Sequence, residues 1–520
     1  MFWKKMAFIP TQNVGTISGA NLYIKVNHPF LSIMGVKIYN ILITLDIRAQ
    51  NQKDFSIMRT IKLLFISCVL GLFVSSAFAA EGIDFDFHGK MFQVFGSTNN
   101  NKSLAGKHKS GSTDFFSYNG QLNTKGFNED DLEYFNTVGT TFGLSKARLR
   151  FEAKTQDNLA KFVYGLEVGT INWGDKEKDF GLSGDGITQE TRFAYAEVKA
   201  PVENIDHIIR AGLQPTKISP WVWSETAAGL TYHGKSKSCK WMLGWYRGDE
   251  DSKSNSKDNN YFVIKTSGPL TPELELGLFL VYEHAGAETA EIAQENTSTK
   301  CQHQYDRDMY YLGTSFTFES NPFKGLFELI YQGGDIDFID NDIKDLERNA
   351  MLMNLDLSFQ LNEQLKLGFN SLYVTGDDNP NDLDAGNFDS IDVDVAVGMI
   401  IFKDSLVSSC DRFVSDAPYF MDKGLIHHAL TAEYKLAKKH TFFTAIRSLS
   451  LAKDYVDDNK QESSIGTELD FKYAYKLNKN VKLRLEAACL IPGAASDLMT
   501  ADDKEADTIF NVASGIQFSF

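Results

Sequence analysis

The chain ends Asp507-Thr508-Ile509-Phe510-Asn511-Val512-Ala513-Ser514-Gly515-Ile516-Gln517-Phe518-Ser519-Phe520, and the reading of these residues decides the fold. Taken two at a time, Phe510, Val512, Ile516, Phe518 and Phe520 fall on one side, with Ser514 among them. Ile509, Asn511, Ala513, Gly515, Gln517 and Ser519 fall on the other. Side chains alternate across a strand, so this is a β-strand with one apolar face and one mostly small or polar face. It stops on an aromatic, with no charge to blunt it. In water such an edge invites aggregation. In a membrane barrel the apolar face meets lipid and both edges are paired. The stretch therefore predicts the closing strand of a barrel.

The same period runs through residues 139–154. Leu149, Phe151 and Ala153 face one way with Ala147; Lys146, Arg148, Arg150, Glu152 and Lys154 face the other. A soluble sandwich rarely keeps so charged an inner side, whereas a wet channel requires one. Alternation and turn residues place eighteen strands, at 85–97, 139–154, 161–173, 190–201, 207–217, 226–235, 239–248, 260–268, 273–285, 306–319, 324–337, 347–361, 365–377, 424–436, 440–453, 463–477, 480–491 and 507–520. Sixteen is the alternative, if 226–235 and 260–268 merge into loops. Short turns such as Ser320-Asn321-Pro322, Ala437-Lys438-Lys439 and Asn478-Lys479 alternate with long loops at 98–138, 286–305 and 378–423, the last with a short strand expected near 393–402. The fold class is all-β: a transmembrane antiparallel β-barrel with short periplasmic turns and long extracellular loops. Ser219-Pro220-Trp221-Val222-Trp223 cannot be regular strand because of its proline and reads as a loop that can fold inward.

The start of the chain has a different character. Met58-Arg59-Thr60-Ile61-Lys62 is basic, Leu63 to Val74 is apolar, and Ser75-Ser76-Ala77-Phe78-Ala79 ends in a small-x-small site. Residues 58–79 read as a secretory signal peptide cleaved after Ala79. Residues 1–57 are expected to be an extension from a start assigned too early, with Met58 the true start. Residues 80–520 are the barrel. Of the 52 Lys/Arg and 68 Asp/Glu, residues 1–79 hold eight and two, so the remainder carries 44 and 66, a net charge of −22. That balance argues against nucleic acid as a partner and fits acidic outer loops. No later segment is long and apolar enough for a membrane helix. Cys239, Cys301, Cys410 and Cys489 match no metal motif. Cys301 and Cys410 both fall in expected outer loops, where a disulfide is possible after export.

No Gly-x-Ser-x-Gly, HExxH or phosphate loop follows the signal peptide, so no enzyme chemistry and no cofactor are expected. The relevant constellation is instead a set of inward charges, because a pore selects by width and by the charges at its narrowest point. Alternation turns Lys90, Arg148, Arg150, Arg192, Arg210, Lys482 and Arg484 inward on one arc, with Glu275, Glu328 and Asp356 across the barrel. The two arcs are expected to set a transverse field at a constriction; the alternative is ordinary solvated lumen residues. Asp377, Asp378, Asp382, Asp384, Asp389, Asp392 and Asp394 do not have EF-hand spacing and read as a solvated loop rather than a calcium site. His427 and His428 face opposite sides of a strand and cannot chelate one ion.

The stretches Ala147-Arg148-Leu149-Arg150-Phe151, Thr170-Ile171-Asn172-Trp173-Gly174-Asp175 with Gly184-Asp185-Gly186, Thr191-Arg192-Phe193-Ala194-Tyr195 and Arg210-Ala211-Gly212-Leu213-Gln214, with the terminal Phe520, resemble the homotrimeric general porins of bacterial outer membranes. The resemblance is best over residues 142–215. It implies an outer-membrane location, lipid contact, a homotrimer, and passive diffusion of small hydrophilic solutes and ions through a water-filled channel in each subunit. A plugged surface barrel with an adhesive or structural role in its long loops is the alternative.

Overall fold

A computed structural model describes residues 13–17, 20–27, 31–33, 36–38, 42–45, 82–99, 139–174, 189–200, 206–248, 258–293, 300–339, 345–379, 383–393, 397–400, 406, 423–457, 460–499 and 505–520. The chain divides into two units, Met1–Glu81 and Gly82–Phe520. In the first, Asn13–Ile17, Ala20–Asn27 and Leu42–Leu45 form a three-stranded sheet, and Leu31–Ile33 pairs with Val36–Ile38. The signal-peptide residues lie outside the described residues.

The second unit is one closed antiparallel barrel. Its strands are β1 (Ile83–Asn99), β2 (Gly139–Thr155), β3 (Ala160–Asn172), β4 (Gln189–Ala200), β5 (Asp206–Pro215), β6 (Thr226–Lys235), β7 (Lys240–Arg247), β8 (Asn260–Thr271), β9 (Leu274–Ala293), β10 (Lys300–Ser320), β11 (Phe323–Phe338), β12 (Leu346–Gln360), β13 (Leu365–Val374), β14 (Leu425–Leu436), β15 (His440–Asp457), β16 (Lys460–Lys476), β17 (Val481–Pro492) and β18 (Ile509–Ser519). Eighteen strands is the expected number, and β6 and β8 are both true strands. β18 closes the cylinder on β1, with Val512 opposite Ser97 and Phe518 opposite Met91. The Phe520 amide then exchanges backbone hydrogen bonds with Gly89, each at 3.0 Å. No strand edge of the wall is left open, which removes the liability that the terminal aromatic would carry in water.

The two faces separate as the period demands. Phe510, Val512, Ile516, Phe518 and Phe520 stay exposed on the outside, while Ile509, Asn511 and Ala513 are buried within. Phe151 packs outside against Phe87, ring centroids 4.6 Å apart, and Phe87 against Phe520 at 5.3 Å. Leu312, Leu430, Ile446, Phe262 and Ile264 continue the apolar outer belt. Tyr282, Tyr310 and Tyr331 lie on this face nearer the long-loop rim, and Tyr434, Phe442 and Tyr473 nearer the short-turn rim. Apolar band and aromatic girdles together suit a barrel immersed in a bilayer.

Several boundaries differ from expectation. Most of the expected loop 286–305 is strand: β9 and β10 continue as one hairpin past a bulge between Ala285 and Glu288, because backbone pairing needs no apolar side chains above the lipid. The expected turn Gly268–Pro272 is shorter, since β8 runs to Thr271 and carries Pro269 at a bulge. Around 393–402 no described residue is strand; among the described residues of the connection, Asp384–Ala385 forms a two-residue strand parallel to β12. β13 ends at Val374 instead of 377. There Gly376 meets Gly424 so closely that a Cβ would lie 2.0 Å from the Lys423 carbonyl carbon, so the connection leaves the wall through a pinch only glycine allows.

The lumen is not wet throughout. Inward residues of the wall, among them Phe92, Val94, Phe142, Leu144, Tyr246, Met309 and Ile330, form one apolar cluster with Ile218, Val222, Trp223, Phe388, Val393, Val397, Met399 and Ile400 of two connections. Each fully buried large side chain contributes roughly 1.5–3 kcal/mol. These connections are therefore packed parts of the structure. The expected water-filled lumen is thus partly occupied by protein: alternation tells which residues point inward, not what fills the space they face.

Candidate pore and its inward segments

Lys90, Arg148, Arg150, Arg192, Arg210, Lys482 and Arg484 all lie on the lumen side. Lys90 stands opposite Arg148 across β1 and β2, and Arg148 opposite Glu167 across β2 and β3. Arg210 stands opposite Glu197 across β5 and β4. Closure of β18 on β1 brings Lys482 and Arg484 of β17 close to this wall. Arg192 gets there by a bulge. The β3–β4 register shifts between Gly165 and Leu166, opposite Phe193 and Thr191, so Arg192 is the extra residue and reaches Glu167.

The basic arc is not purely basic. Glu167 takes Arg148 Nε at 2.5 Å and Arg192 Nη1 at 2.8 Å on one oxygen and the Lys146 ammonium on the other. Glu197 takes Arg210 at 2.8 Å and Lys161 at 3.3 Å; Glu225 takes Arg192 at 3.5 Å. Arg150 pairs with Glu152, and Arg484 with Glu486, each at 2.7 Å. Sequence reasoning missed Glu167 and Glu197. The signal was there, since both share inward parity with basic residues across the ladder. Such a lattice holds the long cationic side chains in fixed positions. Arg148 and Arg150 still keep 30% and 41% of their side chains open, so the wall faces solvent where the lumen is not filled.

The acidic residues across the barrel are not alike. Glu275 and Asp356 are inward and partly or fully exposed. Glu328 is buried, accepting from Trp221 Nε1 at 3.0 Å and Asn354 Nδ2 at 2.9 Å. The contact to Trp221 explains it: the connection between β5 and β6 does turn inward. Lys265 Nζ holds its start, donating to the carbonyls of Lys217 and Ile218 at 2.8 Å each.

The second inward segment comes from the long connection between β13 and β14. Arg348 donates to the Asn387 side chain at 2.9 Å, and Gln332 accepts from the Asp389 amide at 2.7 Å. Arg307, paired with Glu283, lies 3.7 Å from the Asp389 carboxylate. Glu468 accepts the Met399 and Ile400 amides, and Glu486 that of Leu406 at 2.6 Å. Gly398 is glycine for a reason: a Cβ would come within 2.7 Å of the Glu468 oxygen. The two segments join each other. Ser224 N donates to the Asp392 carbonyl at 2.9 Å, Ile391 N to the Val222 carbonyl at 2.8 Å, and Ser390 Oγ to the Trp221 carbonyl at 2.7 Å.

The acidic stretch 377–394 is thus not simply a solvated loop. Asp377 and Asp389 are buried, because the segment folds inward to wall donors, whereas Asp378, Asp384 and Asp392 are exposed. Among the described residues no group of three His, Cys, Asp or Glu is placed to hold a metal. His427 turns inward beneath Arg447 and His428 outward to Ser371, as alternation predicts. Cys410 and the side chain of Cys301 lie outside the described residues.

Barrel, apolar belt and charged lumen wall define a porin-like transmembrane barrel. No protein-family model matches the chain, and no curated protein matches it. Among solved structures, OccK8 (OprE) of Pseudomonas aeruginosa matches 84% of this chain over 98% of its own, at 12% identity and TM-score 0.46. OprD of Pseudomonas aeruginosa matches 85% over 95%, at 11% and 0.45. OccAB4 of Acinetobacter baumannii matches 84% over 98%, at 11% and 0.46.

Proposed function

We propose that the protein is a bacterial outer-membrane channel for the passive passage of small hydrophilic solutes and ions, with the path running along the charged wall of β2 to β5. The observation that carries this reading is the solvent-open state of Arg148 and Arg150 on a lumen wall that elsewhere meets packed segments. In this reading Lys90, Arg148, Arg150, Arg192, Arg210, Lys482 and Arg484 face Glu275 and Asp356 across the path, Glu328 holds Trp221 instead, and the two inward segments narrow the path. Narrowing by packed protein favours selective passage over the wide diffusion of a general porin. Assembly as a homotrimer belongs to the same proposal and is tested by crosslinking in detergent. Reconstitution into a planar bilayer tests the channel: discrete ohmic steps are expected, and a silent, correctly folded protein would sink it.

The packed lumen favours one second reading, a surface barrel whose bore is plugged. The two separate on deletion of residues 383–393. A channel conducts before and after; a plugged barrel conducts only after.

A further inference from the structure

We propose that the lysine-bearing short turns bind the anionic headgroups of phospholipids in the leaflet at that rim. Two neighbouring hairpins carry the main patch. The β14–β15 turn holds Lys438 and Lys439, and the β16–β17 turn holds Lys479, with Lys476 just before it; all four are exposed. A hydrogen bond from Lys476 N to the Lys439 carbonyl, at 2.8 Å, ties the hairpins together. Neither turn contains a carboxylate. The nearest upstream on β14, Glu433, is already engaged by Lys435 at 3.1 Å and Lys366 at 4.0 Å.

Depth selects the partner. Directly beneath the turns lies an aromatic floor. His440 stacks on Tyr473 with centroids 6.0 Å apart and bonds its hydroxyl at 2.9 Å, while Phe442 packs on Tyr473 at 5.0 Å. Aromatic side chains of this kind sit at the edge of the hydrocarbon. Headgroups occupy only about 5–7 Å beyond that edge on each side. Turns this short keep their lysines within a side chain's reach of that layer, where an ammonium group meets lipid phosphate before it meets a soluble partner. An acidic soluble protein would have to displace lipid to reach them.

The arrangement occurs twice. In the β6–β7 hairpin Lys235, Lys237 and Lys240 surround a turn without a carboxylate, over a second His–Tyr stack, His207 on Tyr232 with centroids 5.6 Å apart. The other short turns described carry an acid instead, Asp157, Glu273 and Glu363, or no charge, as at Asn321-Pro322. Charge is therefore placed at chosen positions around the rim, where an anionic surface attracts each added lysine.

The test uses the purified full barrel in detergent, exposed separately to phosphatidylglycerol and phosphatidylcholine of the same chain length, with retained lipid counted by native mass spectrometry. Phosphatidylglycerol is expected to be kept in preference. The triple variant Lys438→Gln, Lys439→Gln, Lys479→Gln is expected to lose that preference by about fivefold per lysine removed. The triple Lys→Arg variant should retain it, with heat-modifiable electrophoretic mobility reporting folding for both. Equal retention of the two lipids, an unchanged preference in the Gln variant, or displacement of the lipid by inorganic phosphate alone would each overturn the proposal.

Discussion

Trp221 donates its indole N–H to Glu328 at 3.0 Å, a bond that joins a connection leaving β5 to the wall at β11. A sequence separation of 107 residues and five strands, β6 to β10, lie between them. Glu328 also accepts from Asn354. Replacing it with Ala takes the acceptor from the buried Asn354 amide and the half-buried Trp221 indole, at about 1–3 kcal/mol for a buried donor left unpaired. Glu328→Ala should lower the urea midpoint of the folded barrel and raise current noise, while Trp221→Phe, which keeps an aromatic ring and leaves Glu328 its bond to Asn354, should do so less. Equal behaviour of the two would contradict the role of the bond.

Glu167 is the shared anion of Lys146, Arg148 and Arg192. Lys146 is fully buried, and stripping a buried cation of its carboxylate costs about 3–5 kcal/mol. Glu167→Gln is expected to destabilise the barrel by that order and to shift the reversal potential in a salt gradient toward anions. An unchanged unfolding midpoint would mean that Lys146 has enough other partners.

Arg348, buried on β12, grips Asn387. Arg348→Met keeps the stem and drops the donors. The segment 383–393 should then become a site of limited proteolysis in the reconstituted protein, with the wall itself intact. Cleavage no faster than in the parent would assign the hold on this segment to Gln332 and the apolar contacts instead.

Asp378 accepts from Lys453 Nζ at 2.9 Å outside the membrane span, and that bond holds its carboxyl below the ordinary value of about 4. A carboxylate depressed in the folded state contributes fully above its unfolded pKa and loses the contribution as pH falls through the depressed value. The pair is exposed, so the effect is under about 1 kcal/mol. Hydrogen exchange of residues 375–379 should rise at the acid end of this window and be flat with pH in Asp378→Asn.

Leu430 sits on the outer face of β14 and is 61% exposed. A lysine there would stand in hydrocarbon, costing about 2–4 kcal/mol if near the midplane. Leu430→Lys should fold less stably in bilayers, whereas Lys at neighbouring Thr431, which points inward, should be tolerated.

The wall was legible because its constraint is local. Lipid outside and water or protein inside impose a two-residue period, and that period alone placed Leu149 and Phe151 out and Arg148 and Arg150 in, and found the seam at Phe520. The lumen was less legible because its constraint is not local. Nothing near Trp221 announces Glu328, and nothing in the run of aspartates from Asp377 announces that Asp389 meets Gln332 and Arg307. Glu167 is hidden for a milder reason: its parity is legible, but the basic residues it holds lie on neighbouring strands, so the pairing shows only once the register is known.

The backbone bridge between Val222–Ser224 and Ile391–Asp392 also bears on how the molecule is made. A cylinder that zips up hairpin by hairpin must gather both stretches into its hollow before its first and last strands meet, because afterwards there is little room to thread them in. A bulky epitope spliced into either stretch would then leave the seam agape.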